Sequence, residues 1–339
     1  MIRTRVPAPG TTPAASSEQL LRVDGLVVDL PSPGGTVRVV DGVSFDIPPA
    51  TTVGLIGESG SGKTMTANAI IGLLPQGSTT GGELLWRGED LLRLDRTRRR
   101  RLRGHEIAMI FQDPLAALNP TQTIGRQVGE ILRRAGHRRD EVRRRVLELL
   151  DRAGVPDPAQ RLGAYPHEFS GGMRQRAMIA LALAGSPALL LADEPTTALD
   201  VTVQARILRL LRSIQQDEGL AMLLVSHDLR VVAHAAHQVV VMYAGRVAER
   251  GPTASVLSRP AHPYTRALVQ SVPAVRTRTA LAHPLPGTPA APANRPAGCA
   301  FHPRCPLVRD RCRTEQPVPR AITPDRWTAC HFAEELPAT

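Results

Sequence analysis

Residues 57–64 read Gly57-Glu58-Ser59-Gly60-Ser61-Gly62-Lys63-Thr64, the spacing G-x-x-x-x-G-K-[ST]. The chain has 42 Lys and Arg residues, and Lys63 is its only lysine. Each residue type in that run suits the holding of a phosphate chain. Gly57, Gly60 and Gly62 let the backbone curl with its N–H groups turned inward, at the start of a helix whose dipole is positive at that end. A lysine there places a compact ammonium on the β/γ-phosphates, a task for which a planar guanidinium is the wrong shape, and the Thr64 hydroxyl ligates Mg²⁺.

A second group of chemistry-bearing residues stands at the ends of two apolar runs. Ala188-Leu189-Leu190-Leu191-Ala192-Asp193-Glu194-Pro195 is too short for a typical helix and ends in two carboxylates, which reads as a buried parallel strand delivering acids to its carboxyl end. Ligands bind at that end of α/β sheets. Asp193 would hold Mg²⁺ through water, and Glu194, pointing the other way, would face an attacking water. Leu220 to Ser226 is a second such run, and its end places His227 to contact a γ-phosphate. The elements needed to carry the phosphate loop are also present, since Thr52-Val53-Gly54-Leu55-Ile56 reads as a strand and Met65 to Leu74 as a helix.

Between these groups lies Phe169-Ser170-Gly171-Gly172-Met173-Arg174-Gln175-Arg176, followed by an apolar helix through Ala184. With this run the chain resembles an ATP-binding cassette (ABC) transporter ATPase. The loop, Gln112 in Phe111-Gln112-Asp113-Pro114, the Ser-Gly-Gly signature, the Asp193-Glu194 pair, Ala198-Leu199-Asp200 and His227 occur in that family's order and spacing. The resemblance implies an α/β fold: a P-loop ABC ATPase core of mixed and parallel sheet with an antiparallel edge subdomain and a helical subdomain, plus a small C-terminal extension that carries cysteines. It implies ATP and Mg²⁺ as cofactors, with Mg²⁺ near Thr64, Gln112 and Asp193, and Glu194, His227 and Gln112 as catalytic residues. Two such domains meet head to tail in that family, so Ser170, Gly171, Gly172 and Met173 would contact the ATP held by the partner, beside a D-loop of Ala198, Leu199 and Asp200. Hydrolysis of a phosphoanhydride needs positioning and charge neutralisation more than covalent chemistry, which these residue types supply. Two positions depart from the family pattern. Leu30 stands near where an aromatic ring often stacks on adenine, and Met173 stands where many members have Gln.

The net charge of +11 raises nucleic acid and anionic membrane headgroups as partners. Arg96, Arg98 to Arg101 and Arg103 form one basic run, and Arg133, Arg134, Arg138, Arg139 and Arg143 to Arg145 another. The second run interleaves Leu132, Val142, Val146, Leu149 and Leu150 with acids at helical spacing, the pattern of amphipathic helices with a solvated basic side. At 3% aromatic residues little is available for stacking on bases, so no nucleic-acid partner is expected. No run approaches the length of a membrane span, and residues 1–18, rich in Pro, Ala, Ser and Thr, read as a disordered tail without the apolar centre of a signal peptide. The ATPase domain is expected over residues 19–258, its helical part over about 113–187, and Leu21 to Ile47 as an antiparallel pair around Gly34-Gly35. The expected place of work is the cytoplasmic face of the cell membrane, reached through partners.

Residues 259–339 narrow the resemblance. Arg259-Pro260-Ala261-His262-Pro263-Tyr264-Thr265-Arg266-Ala267-Leu268, then a Pro/Ala-rich linker and Gly298-Cys299-Ala300-Phe301-His302-Pro303-Arg304-Cys305-Pro306, resemble the extension of oligopeptide/dipeptide importer ATPases, as does Phe111 to Pro114 running into Leu118-Asn119-Pro120. All four cysteines, Cys299, Cys305, Cys312 and Cys330, fall in this extension. In a cytosolic setting clustered thiols point to metal, yet the spacing lacks the tight C-x-x-C pair of zinc ribbons and of bacterial ferredoxins. The resemblance implies a [4Fe–4S] cluster on them. Zn²⁺, with His302 or His331 nearby, and bare thiols stay open. The resemblance further implies two transmembrane permeases docking near Gln112, a second ABC ATPase in a heterodimer, and an extracytoplasmic substrate-binding protein. Di- or oligopeptides are the implied cargo, with nickel or another small solute as the alternative within the branch and a soluble non-transport ABC ATPase outside it.

Overall fold

The computed structural model describes residues 19–197, 200–271 and 287–336. The tail expected over 1–18 lies outside them, as do Ala198 and Leu199 of the expected D-loop and residues 272–286 of the linker.

Strands β1 (Leu21–Ser32) and β2 (Gly35–Ile47) form the hairpin expected around Gly34-Gly35. With β4 (Thr79–Trp86) and β5 (Glu89–Asp90) they make a four-stranded antiparallel sheet in the order β2-β1-β4-β5. Its inward residues, among them Val23, Val28, Val40, Phe45 and Leu84, share one apolar core with Ala67, Ile70 and Ile71 of helix α1 (Lys63–Ile71).

The second sheet has eight strands. β3 (Thr52–Ile56), β6 (Ile107–Ile110), β7 (Leu189–Asp193) and β8 (Ala221–Ser226) are buried along their whole lengths, as strands of a parallel sheet covered on both faces must be. With β9 (Gln238–Tyr243) they lie parallel in the order β9-β3-β8-β7-β6, so the loops following β3, β7 and β8 open at the same end. β10 (Arg246–Pro252) pairs antiparallel with β9.

Both arginine-rich stretches become helix, the second as its spacing predicts and the first without such a signal. Helix α2 (Arg96–Leu102) follows Asp95, whose carboxylate accepts from Thr97 N and Arg98 N and so satisfies two otherwise unpaired donors. Residues 113–187 hold α3 (Pro114–Ala117), α4 (Ile124–Arg134), α5 (Arg139–Arg152), α6 (Pro158–Arg161) and α7 (Gly171–Leu183). Ile124, Val128, Leu132, Val142, Val146 and Leu150 are buried together, while Arg133, Arg134, Arg138, Arg139, Arg143 and Arg144 face solvent. Helices α8 (Val201–Glu218), α9 (Leu229–Ala235), α10 (Thr253–Ser258) and α11 (Pro263–Gln270) complete the layer that covers the sheet.

The cysteine-bearing segment is continuous with this sheet. Beyond α12 (Asp310–Thr314), strands β11 (Arg320–Thr323) and β12 (Arg326–Thr328) form a hairpin whose β12 pairs antiparallel with β10, extending the order to β11-β12-β10-β9. Phe301, Ala300 and Tyr264 belong to the same apolar cluster as the parallel strands. A segment with too little apolar content for a core of its own thus borrows one.

Candidate functional site

The loop between β3 and α1 folds tightly enough that its glycines are sterically required. Gly57 has φ 155°, and a Cβ there would lie 2.2 Å from the Met242 carbonyl oxygen; Gly62 has φ 99°, and a Cβ would lie 2.8 Å from that of Val39. Lys63 sits at the helix start with its ammonium folded back, donating to the Gly57 and Glu58 carbonyls at 2.8 and 2.9 Å. The Thr64 hydroxyl donates to Asp193 Oδ1 at 3.3 Å, which brings the loop to the end of β7.

Asp193 and Lys63 are both buried. Burial raises the Asp193 carboxyl above its ordinary range, against the Thr64 hydrogen bond, with Glu194 pushing the same way. Burial lowers the Lys63 ammonium, opposed by the carboxylates of Glu194, Asp193 and Glu58. Both groups are therefore pushed toward their neutral forms. A divalent cation beside Asp193 and phosphate oxygens beside Lys63 are the ligands that would restore both charges.

Glu194 turns out of the strand with φ 46°, a left-handed conformation that few non-glycine residues adopt. Its N–H donates to the Val225 carbonyl at 3.0 Å, holding the turn against β8. Three side chains then converge on the carboxylate. Gln112 Nε2 donates to Oε2 at 3.2 Å, the Thr197 hydroxyl donates to Oε2 at 2.9 Å, and His227 Nδ1 lies 3.1 Å from Oε1. His227, Gly57, Ile56 and Leu229 line a cavity of about 350 Å³ beside the loop. Gln112, Asp193, Glu194 and His227, scattered in sequence, are brought to one end of the sheet. Thr197 was not singled out by the sequence; its signal was a hydroxyl in the tight Glu194 to Thr197 turn, where Thr197 N donates to Glu194 O at 3.2 Å.

The signature run takes a different position. Ser170 is the N-cap of α7, its Oγ accepting from Met173 N at 3.4 Å, and Ser170 and Gly171 are exposed. A Cβ on Gly172 would lie 3.1 Å from Val203 Cγ1, so α7 meets the first turn of α8, which Asp200 caps by accepting from Val203 N at 2.9 Å. No hydrogen bond or ion pair joins Ser170 to the chain's own phosphate loop among the described residues. Leu30 is half-buried and packs on the core of the antiparallel sheet.

The four thiols lie near one another, Cys299 and Cys305 ahead of α12, Cys312 within it and Cys330 just after β12. Cys299 N donates to the Cys312 carbonyl at 2.8 Å, and Phe332 N to Cys330 Sγ at 3.4 Å. Burial pushes the Cys305 and Cys330 thiols up to about 11 and raises Cys299 as well, and every pair among the four is close enough for one thiolate to disfavour another. Among the described residues, no three His, Cys, Asp or Glu side chains converge closely enough to hold a single metal ion.

A phosphate loop, a buried aspartate, a constrained glutamate and a histidine at one end of a mixed sheet, with a Ser-Gly-Gly run capping α7, define an ATP-binding cassette. Residues 40–197 match the family model of the ABC transporter, and residues 248–312 that of the oligopeptide/dipeptide transporter C-terminal region. The dipeptide transport ATP-binding protein DppD of Escherichia coli (strain K12) is 45% identical over 315 residues, 92% of this chain and 96% of the relative. DppD of Bacillus subtilis (strain 168) is 48% identical over 307 residues, 89% and 92% of the two chains. Among solved structures, the dimeric post-hydrolysis state of the ATP-binding cassette MJ0796, bound to ADP and Pi, superposes with a TM-score of 0.62 at 27% identity, covering 69% of this chain and 98% of that one. The chain belongs to the ABC transporter ATP-binding proteins and is an ATPase of that family.

Proposed function

We propose that the chain is the ATP-hydrolysing subunit of an ABC importer that takes up di- or oligopeptides through two membrane permeases. The observation that carries the mechanism is the convergence of Gln112, Thr197 and His227 on the Glu194 carboxylate, one residue from the buried Asp193 that meets Thr64. Residues 57–64 hold the triphosphate, with Lys63 on the β/γ-phosphates. Thr64, Asp193 and Gln112 would hold Mg²⁺, which would supply charge to offset that developing on the transferred phosphoryl group. Glu194 orients and deprotonates the attacking water, and His227 braces the γ-phosphate. Ser170 and Gly171, exposed on the α7 cap, with the half-buried Gly172 and Met173 behind them, close over the ATP of a second cassette. Asp200, the N-cap of α8, would line that junction. Hydrolysis then follows dimer closure, so that it times a mechanical step.

Residues 19–258 form the ATPase domain, with 113–187 as its helical part, and 259–339 the extension. Among the described residues no helix is long and apolar enough to cross a membrane, in keeping with attachment to the cytoplasmic face through permeases. The names of the relatives support a peptide cargo, and a substrate-binding protein and a second, distinct ATPase complete the proposed assembly. Cys299, Cys305, Cys312 and Cys330, four mutually close thiols with Cys312 buried and the others half-buried, are the residues that would hold a [4Fe–4S] cluster. Bound there, the cluster would staple the extension. The test is ATP-dependent uptake of a labelled dipeptide into membrane vesicles with and without this chain, with co-purifying proteins identified. Uptake that needs the chain, with two permeases bound, supports the proposal; undiminished peptide uptake without it, or uptake of nickel instead, overturns the cargo.

A further inference from the structure

Glu58 follows Gly57 in the phosphate loop, and residues from beyond position 259 hold both its side chain and its backbone. Arg304 Nη1 donates to Glu58 Oε2 at 2.7 Å and Arg304 Nη2 to Oε1 at 3.0 Å, a two-pronged pair that fixes orientation as well as charge. The Tyr264 hydroxyl accepts the Glu58 N–H at 2.9 Å. Neither partner is a loose surface group. Tyr264 is fully buried, and the Arg304 side chain is 3% exposed against 24% for Glu58. The guanidinium lies 5.9 Å from the ring centroids of both Tyr243 and Phe301. Those rings close on Tyr264, with centroids 4.7 Å (Tyr243) and 5.4 Å (Phe301) away. Arg304 also directly precedes Cys305 in the chain.

The loop has use for such a hold. The Gly57 and Glu58 carbonyls receive the Lys63 ammonium, so the peptide on which Arg304 and Tyr264 act also places the charge that meets phosphate. A run with three glycines has wide backbone freedom that nucleotide binding must remove, and contacts that restrict it beforehand reduce that cost. The pair is made entirely within one chain and needs no dimer partner. It differs in this from the signature, which acts across one.

We propose that Arg304 and Tyr264 are positioning residues for the phosphate loop, so that the cysteine-bearing extension sets the chain's affinity for ATP through Glu58. The proposal rests on the reading of residues 57–64 as the ATP site. Its test uses the full-length chain, with Mg²⁺-ATP affinity from calorimetry and turnover measured in the assembled transporter. Arg304→Met keeps an unbranched apolar chain at this buried position and removes the fork; Glu58→Gln removes the carboxylate. Each should raise Kd and KM for ATP about five- to tenfold. The double variant should be no worse than either single one, because both remove the same link. For Arg304→Met, which lies outside the loop, the turnover number at saturating ATP should stay within about twofold of the native value, a split that general unfolding would not give. Tyr264→Phe deletes only the hydroxyl and should move KM in the same direction, which keeps the test decisive if Arg304→Met does not fold. Native affinity in Tyr264→Phe and Arg304→Met, effects of the single variants that add in the double, or a fall in turnover with KM unchanged would each overturn the inference. Lys63→Ala separates the two ideas: if it loses ATP while Arg304→Met binds normally, only the positioning role fails, whereas normal binding by Lys63→Ala removes the ATP site itself.

Discussion

Arg326 Nη2 lies 2.6 Å from Glu249 Oε1, and neither side chain has appreciable exposure, at 9% and 0%. The Glu249 carboxylate also accepts from Ala261 N at 2.9 Å and His262 N at 3.0 Å, so one buried acid ties β10, the start of α11 and the β11–β12 hairpin together. Burial raises its carboxyl above the ordinary range, against the guanidinium and the backbone donors. Arg326→Ala should therefore destabilise the fold by about 3–5 kcal/mol, since it strands a buried charge. Chemical denaturation of the purified chain measures it, and a loss under about 1 kcal/mol would show that the hairpin is not held by this pair.

Glu194→Gln keeps the size and much of the hydrogen bonding of the side chain but removes its basicity. Turnover should fall at least about 100-fold while ATP binding persists, the mark of a lost base rather than a lost site. Steady-state ATPase assays with calorimetric ATP binding on the same preparation separate the two; near-native turnover would remove Glu194 from the chemistry.

Thr197→Val should lower the turnover number about tenfold with KM little changed, because one hydrogen bond to the Glu194 carboxylate is lost while the phosphate loop is untouched. Thr197→Ser keeps the hydroxyl and should restore most of the rate. Equal rates for Val and Ser variants would mean that the hydroxyl does not steer the carboxylate.

His262 is held neutral in the fold. Its Nδ1 accepts from Tyr264 N at 3.0 Å, and burial lowers its pKa to about 4, with the Ala329 carbonyl as a smaller opposing influence. Unfolded, the imidazole titrates near its ordinary value of 6.5. The unfolded chain therefore binds the extra proton between those values, so the contribution is complete above pH 6.5 and is lost as pH falls toward 4, by about 3 kcal/mol in total. Denaturation midpoints from pH 7 to 4 should fall more steeply for the native chain than for His262→Asn. Parallel slopes would assign acid sensitivity to other groups.

Anaerobic purification should yield a brown, iron-containing chain, and Cys299→Ser should lose colour and iron while still binding ATP. Colourless, iron-free native protein would leave the four thiols without the cluster.

The contiguous parts of the site were the most legible from sequence. The phosphate loop is a local device, so spacing alone located Gly57 to Thr64, and the apolar runs ending in Asp193-Glu194 and His227 announced buried strands because a parallel sheet tolerates no polar alternation. The hairpin at Gly34-Gly35 and the solvated arginine faces of α4 and α5 followed from turn residues and helical spacing. Thr197 was missed because a threonine in a polar turn is ordinary until its carboxylate partner is known. The Arg304 to Glu58 pair joins positions 246 residues apart, a relation that no local pattern encodes. The same holds for β12 pairing with β10: the sequence suggested an appended module, and the hydrogen-bond ladder makes it part of the sheet.

That pairing makes the molecule hard to shorten. A chain cut after Ser258 would keep every nucleotide-binding motif, yet the backbone N–H and C=O groups of β10 that now meet β12 would lose their partners, and the Glu249 carboxylate would lose Arg326. An uncapped strand of this kind pairs with whatever strand it meets, including its copy on another molecule. A minimal ATPase fragment of this protein is thus expected to clump rather than to stay monomeric, and the extension doubles as its solubility guard.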